Sequence, residues 1–384
     1  MKFKKLIYFH YIPLTAKIYN DFFMEATIKA GIQVEYWDLS RLFFKNYGQE
    51  DSAFLLGDHA IHFDHYQAVE ERIKQQNISS TLFISIVSYN YRVVKLFRLF
   101  TQYNCILGVF GRDMVPIGNL KICSKLFRLT PGKLLRFWKN KRAVSLKNSG
   151  IVKNYDIVFQ GGKQGYKSLG LTSSKEIARA CVVKINSSDY DKYQTMVRAL
   201  TTKPQDYIVF LDSYLPLHPD FKILGIKLCP PEEYYRRLNA FFDRLETQYK
   251  VPVIIAAHPK ALKYKDEDYF HGRRVEFGKT EELVQNAMLV VAHYSTAVGY
   301  AVLFRKNVQL LSSSLFKNSY VHQHVLAFAR HLGCKWQYME DESPIETNAV
   351  SESRYACYKY DFLCFPETED LCSESIFLNF LLND

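Results

Sequence analysis

The chain has 384 residues, 48% of them hydrophobic and 15% aromatic, with a formal net charge of +11 at neutral pH. That much apolar material excludes an intrinsically disordered chain, and the length exceeds what one core usually serves, so two domains are expected. Eight cysteines without a C-x-x-C pair argue for reduced thiols, against a disulfide framework or a zinc site.

In chain order, the start Met1–His10 has only four apolar residues before His10, and no small-residue cleavage site follows. It reads as a first strand, not a secretory signal. Strands are expected at Leu6–His10, Gln33–Trp37, Leu82–Val87, Cys105–Phe110, Ile157–Gln160 and Arg179–Val183. Helices are expected at Thr15–Ala30, which stops at Gly31, and at Gln67–Gln75 and Tyr91–Tyr103. Strands that alternate with helices imply a parallel sheet covered on both faces.

A break is expected at 186–206, where Ser187-Ser188-Asp189 can cap a short helix and Thr201-Thr202-Lys203-Pro204 is turn-rich. A second series begins with the strand Tyr207–Leu211. The helix Pro231–Tyr249 follows, with Pro231 and two acids in its first turn and Tyr234, Leu238, Phe241, Phe242 and Leu245 on one face. Beyond it come a strand in Val251–Ala257, a helix Glu281–Ala287 capped by Thr280, and a strand at Val290–Ala292. A helix Ala297–Phe304 and a strand Val308–Leu311 complete the series. The uncharged run Ala287–Phe304 is long enough to raise a membrane span, but His293, Tyr294, Ser295 and Thr296 at its centre favour strand, turn and helix.

Three of these strands stop at chemistry. The first ends at Asp212, in a loop that continues Ser213-Tyr214-Leu215-Pro216-Leu217-His218-Pro219; the second ends at His258-Pro259-Lys260; the third ends at His293-Tyr294-Ser295-Thr296. In open α/β sheets, ligands bind beyond the carboxyl ends of the strands. His258 and Lys260 offer donors and positive charge, Pro259 fixes the backbone that presents them, and Ser295 and Thr296 open a helix where backbone N–H groups can meet phosphate. Together they read as a cradle for a nucleotide phosphate.

These motifs resemble the carboxylate, His-Pro and Ser-Ser/Ser-Thr motifs of bacterial sialyltransferases and related capsule glycosyltransferases of the GT-B fold. The resemblance covers roughly the second half of the chain, and it departs at Asp212, which those families follow with a second acid and a glycine. It implies an α/β GT-B architecture, two Rossmann-like domains with a cleft between them: an acceptor domain, 1–190, and a nucleotide-sugar donor domain, 203–384.

The implied activity is an inverting, metal-independent transfer of an acidic sugar (sialic, pseudaminic, legionaminic or Kdo-type) from a CMP donor to a surface or lipid-linked glycan. Asp212 would be the general base, with His10 and Asp113, both at strand ends, as rivals. His258 would contact the donor phosphate as hydrogen-bond donor or acid, beside Pro259, Lys260, Ser295 and Thr296, and Thr280 would approach base or ribose. No cofactor is expected beyond the CMP-activated sugar. Asp189-Tyr190-Asp191 and Asp266-Glu267-Asp268 have acid-x-acid spacing but follow no apolar strand, so no metal is expected. A UDP-sugar or CDP-polyol-phosphate transferase is the alternative within the fold. A non-catalytic nucleotide- or glycan-binding partner in capsule assembly is the alternative outside it.

Charge is uneven. Residues 335–384 carry eleven acids against Lys335, Arg354 and Lys359, a balance of −8 that leaves +19 on the remainder. Met114–Tyr155 holds ten Lys/Arg and no acid, interleaved with Leu134, Leu135, Phe137 and Trp138. That pattern suits an anionic membrane surface as well as a solvated loop and helix, so a cytoplasmic protein, peripheral at the inner membrane, is the expected location. No reader motif for nucleic acid accompanies the basic charge.

Overall fold

The computed structural model describes residues 2–44, 59–118, 131–197, 206–219, 221, 227–345 and 349–383. The chain divides into two compact units. One comprises Met1–Met114, Arg128–Ser188 and Cys364–Asp384; the other comprises Val115–Phe127 and Asp189–Leu363.

The first unit is built on a parallel sheet of β1 (Lys5–His10), β2 (Gln33–Asp38), β3 (Ala60–His62), β4 (Thr81–Ser85), β5 (Ile106–Gly111), β6 (Ile157–Gly161) and β7 (Cys181–Ile185). The spatial order is β3-β2-β1-β4-β5-β6-β7. Strand residues alternate between the two faces, so a doubly covered sheet needs both sets apolar. β1 shows this: Ile7 and Phe9 enter one core with Trp37, Phe83 and Phe97, while Leu6 and Tyr8 enter the other with Tyr36 and Ile84.

Where a single helix Thr15–Ala30 was expected, there are two, Ala16–Asp21 and Met24–Lys29. Phe23 between them is left-handed, with φ 56°. The bend lets Tyr8 Oη donate to the Phe22 carbonyl at 2.9 Å and sets both phenylalanines against Phe110. Gly165 has a different duty. A Cβ there would lie 2.2 Å from the Gly111 carbonyl oxygen, so only glycine lets the loop after β6 cross the end of β5.

The second unit repeats the plan with β8 (Ile208–Leu211), β9 (Val253–Ala256), β10 (Val275–Glu276), β11 (Leu289–Ala292), β12 (Val308–Ser312) and β13 (Trp336–Tyr338), all parallel. Their order is β10-β9-β8-β11-β12-β13. Both sheets therefore carry the Rossmann strand order 3-2-1-4-5-6. The helix Pro231–Tyr249 lays Tyr234, Leu238, Phe241, Phe242 and Leu245 on Ile208, Phe210, Val253 and Ile255. An α/β chain with two Rossmann-like units, the GT-B plan, is what the sequence led us to expect.

The boundaries differ from that expectation at the C-terminus. Cys364–Asp384 belongs to the first unit, not to the unit begun at β8. Its helix Ser373–Leu382 buries Phe377 4.8 Å from the Phe159 ring and 5.4 Å from Phe110, with Leu381 in the same core. Asn186, at the end of β7, adds polar anchors: its backbone N–H donates to Ser373 Oγ at 2.9 Å, and Nδ2 donates to the Leu371 carbonyl at 2.7 Å. Of the expected break, a helix Ser188–Val197 forms and 198–205 lies outside the described residues. No described helix is long and apolar enough to cross a membrane.

Candidate functional site

The second unit sets the expected motifs on one edge of its sheet. The chain runs β8, β9, β10 towards one side, then returns to lay β11, β12 and β13 on the other. The switch point therefore lies between β8 and β11, the place where such sheets open a crevice for ligands. Asp212 and Ser213 continue β8, while Tyr294 and Ser295 follow β11 after one residue. Ser213 Oγ closes the gap by donating to the Tyr294 carbonyl at 2.6 Å. β9 and β11 both flank β8, so His258 and Ser295 emerge about two strand spacings apart, roughly 10 Å.

His258 is half-buried, and its Nδ1 accepts the Lys260 backbone N–H at 3.1 Å. A neutral imidazole that accepts at Nδ1 carries its proton at Nε2, so His258 is set as an Nε2–H donor. Pro259 and Lys260 are exposed beside it. Ser295 Oγ accepts the Ala297 N–H at 3.2 Å, and Thr296 is exposed. The helix that follows, Val298–Leu303, is shorter at both ends than expected, so the Ser-Thr turn offers hydroxyls and peptide N–H groups more than a dipole.

Asp212 lies beneath this edge and is only 5% exposed. Its Oδ1 accepts the Tyr214 N–H at 2.9 Å, and Oδ2 faces the His258 N–H at 3.5 Å. Burial pushes its carboxyl up to about 6, against those N–H groups and the Tyr264 hydroxyl, which favour the ionised form. Tyr264 Oη in turn pairs with Tyr235 Oη at 2.8 Å.

The rival bases lie in the first unit. His10 ends β1 paired with Asp38; its Nδ1 accepts the Tyr11 N–H at 2.9 Å, and burial pulls its pKa down to about 4 despite the Asp38 charge. Asp113 accepts both the N–H and Oγ of Ser188, each at 2.7 Å, so it holds the start of the helix Ser188–Val197. Thr280 is the first residue of its helix, and Lys279 before it makes no side-chain capping bond; both follow β10 at the far edge of the sheet. His293 is a core histidine. Its Nδ1 donates to the Leu311 carbonyl at 2.7 Å, its Nε2 pairs with Tyr234 Oη at 2.9 Å, and burial lowers its pKa to about 4.

Asp268 accepts the N–H groups of Phe270 and Gly272, a turn-holding role. Asp189 and Asp191 sit in the helix Ser188–Val197. Among the described residues, no three His, Cys, Asp or Glu side chains gather closely enough to hold a metal ion.

A set of aromatic and imidazole rings without a sequence-predicted role gathers at the same edge. His218 stands edge-on to His258, with centroids 4.8 Å apart, and Phe221 lies 5.9 Å from His218. Tyr294 stacks on His324 at 5.2 Å and 16°, and Tyr320 lies 5.9 Å from that imidazole. Two signals could have found them: the second His-Pro dipeptide, His218-Pro219, and the i,i+4 pair Tyr320 and His324 on one helix face.

No protein-family model and no curated protein matches the chain. Solved structures do. UDP-GlcNAc 2-epimerase from Methanocaldococcus jannaschii aligns with 99% of this chain and 100% of its own at 9% identity, with a TM-score of 0.46. Acinetobacter baumannii MurG aligns over 99% and 100% at 8% identity and TM-score 0.46. The S. aureus MnaA–UDP structure aligns over 99% and 97% at 13% identity and TM-score 0.44. Likeness of this depth says nothing about ligand or reaction.

Proposed function

We propose that this chain is a glycosyltransferase that takes its sugar from an activated nucleotide and binds the nucleotide phosphate at the β8/β9/β11 edge of the second unit. The observation that carries the reading is the His258 imidazole. Its Nδ1 accepts the Lys260 N–H, so the ring carries its proton on Nε2, at a strand end flanking the switch point. Across that point stand Ser295 and Thr296, and the rings of His218, Tyr294 and His324 supply flat surfaces on which a base can stack.

In the reaction proposed, an acceptor hydroxyl attacks the anomeric carbon and passes its proton to a base. The bond from that carbon to the phosphate oxygen breaks, and the electron pair leaves on the phosphate. His258 donates to that oxygen as negative charge builds on it. Asp212 is proposed as the base because its carboxyl takes up a proton more readily than a free aspartate and lies in the same strand-end row. Its contacts favour a second reading, in which it works by holding the His258 peptide in place.

The finer proposal is a CMP-activated acidic sugar, whose single phosphate suits one compact set of donors; a UDP-sugar is the alternative. The test is release of CMP or UDP from the sugar nucleotide in the presence of a glycan acceptor. His258→Ala should lower turnover by about two to four powers of ten. Asp212→Asn should abolish turnover and spare nucleotide affinity if Asp212 is the base, and should weaken both if it positions His258. A folded His258→Ala protein at wild-type rates would refute the phosphate assignment.

A further inference from the structure

The helix Pro131–Asn148 of the first unit is docked by one half only. Ala143 and Lys147 are buried, Leu146 packs on the core beside Tyr155, and Asn140 Oδ1 accepts the Tyr91 N–H at 3.2 Å. The two turns before Asn140 carry a different pattern. Trp138 is 63% exposed, Leu135 56%, Phe137 49% and Leu134 44%. At about 100° per residue, these four side chains centre on the side of the helix opposite Asn140, Ala143, Leu146 and Lys147. Their apolar face therefore points away from the unit that anchors the helix.

Single exposed apolar residues are ordinary, but four in five consecutive positions with both rings adjacent form a patch. Its setting is cationic. Arg136, Lys139, Lys141 and Arg142 are exposed on the same helix, Lys141 Nζ sits 5.5 Å from the Phe137 ring, and the sequence has no acid from Met114 to Tyr155. A face that joins a tryptophan, a phenylalanine and leucines to exposed cations complements a bilayer interface: rings and leucines enter the acyl boundary while cations meet anionic headgroups.

We infer that the exposed half of the helix Pro131–Asn148 is an anionic-membrane docking element that inserts Leu134, Leu135, Phe137 and Trp138 between lipid headgroups. Such docking would bring the first unit to a surface where a lipid-linked acceptor resides, and it is independent of the nucleotide chemistry proposed for the second unit.

The experiment is flotation of the full chain with vesicles of phosphatidylcholine plus phosphatidylglycerol, against phosphatidylcholine alone. Wild type should float with the mixed vesicles. Phe137→Ser/Trp138→Ser should lower the partition coefficient about tenfold or more. Arg136→Glu/Lys139→Glu/Lys141→Glu should remove the preference for phosphatidylglycerol, each lost cation weakening binding about fivefold. The preference of wild type should fade as salt rises.

Emission from Trp138 should shift to the blue on mixed vesicles, a change missing from Trp138→Phe. The melting temperature of Phe137→Ser/Trp138→Ser should match wild type, because both side chains stand largely in solvent. Wild type that ignores mixed vesicles, or a Phe137→Ser/Trp138→Ser variant that floats as well as wild type, would overturn the inference. So would a chain that dimerises through this face, shown by a concentration-dependent elution volume that the double variant loses.

Discussion

Replacing Asp212 by asparagine should change how stability depends on pH, and the direction follows from burial. The carboxyl is 5% exposed and titrates near 6 in the folded chain against 3.8 for a free aspartate. A shift of roughly two units corresponds to about 3 kcal/mol. Because the folded form holds this proton more tightly than the unfolded form, the contribution is fully present below about pH 4. It is lost as the pH rises through about 6. Asparagine does not titrate.

Its amide will meet the Tyr214 or His258 N–H less well than an oxygen does, but that cost is independent of pH. The quantity to read is therefore the stability of Asp212→Asn minus that of wild type, from urea unfolding at a series of pH values. It should rise by about 3 kcal/mol between pH 4 and 7.5. Parallel profiles, with a difference constant to within about 1 kcal/mol, would show that the Asp212 carboxyl is not held as described.

Phe377→Ala should cost about 3–5 kcal/mol, because it empties a site walled by Phe23, Phe110 and Phe159 in the core of the first unit. A chemical melt that moves by less than about 1 kcal/mol would detach the C-terminal helix from that unit. Lys147→Met should cost about 3–5 kcal/mol, since it leaves the Glu176 carboxylate buried without the ammonium 2.6 Å away. Adding Glu176→Gln to it should recover part of the loss, and no recovery would refute the coupling.

The long central strands were legible because both faces of a covered sheet must be apolar. β1, β2, β5 and β6 fall within one residue of their expected limits. The edge strands β3, β10 and β13 were not legible. They have three, two and three residues, which is too few for a period to register. The bend at Phe23 escaped because the apolar spacing of Phe22, Phe23, Ala26 and Ala30 runs through it, and spacing does not reveal that Tyr8 will donate to the Phe22 carbonyl. The C-terminal helix was hidden by chain order: sequence says that Phe377 is apolar, not which core it fills.

The site divides in the same way. His258 and Ser295 could be placed at strand ends from the residues alone, because a βα turn puts polar groups where an apolar run stops. That Asp212 turns inward and binds its own loop depends on two backbone N–H groups and the tyrosines beneath it, none of which sequence spacing reveals. His218 meets His258 only because the loops after β8 and β9 share one edge of the sheet.

The most direct measurement of the phosphate site is calorimetric titration of CMP and of UDP into wild type and His258→Ala. CMP should bind wild type, and His258→Ala should lose about tenfold or more in affinity, the worth of one charge-assisted hydrogen bond. A wild-type preference for UDP would select the alternative donor while leaving the site intact. Binding of neither nucleotide, or equal binding by wild type and His258→Ala, would contradict the claim that the β8/β9/β11 edge is a nucleotide site built on His258.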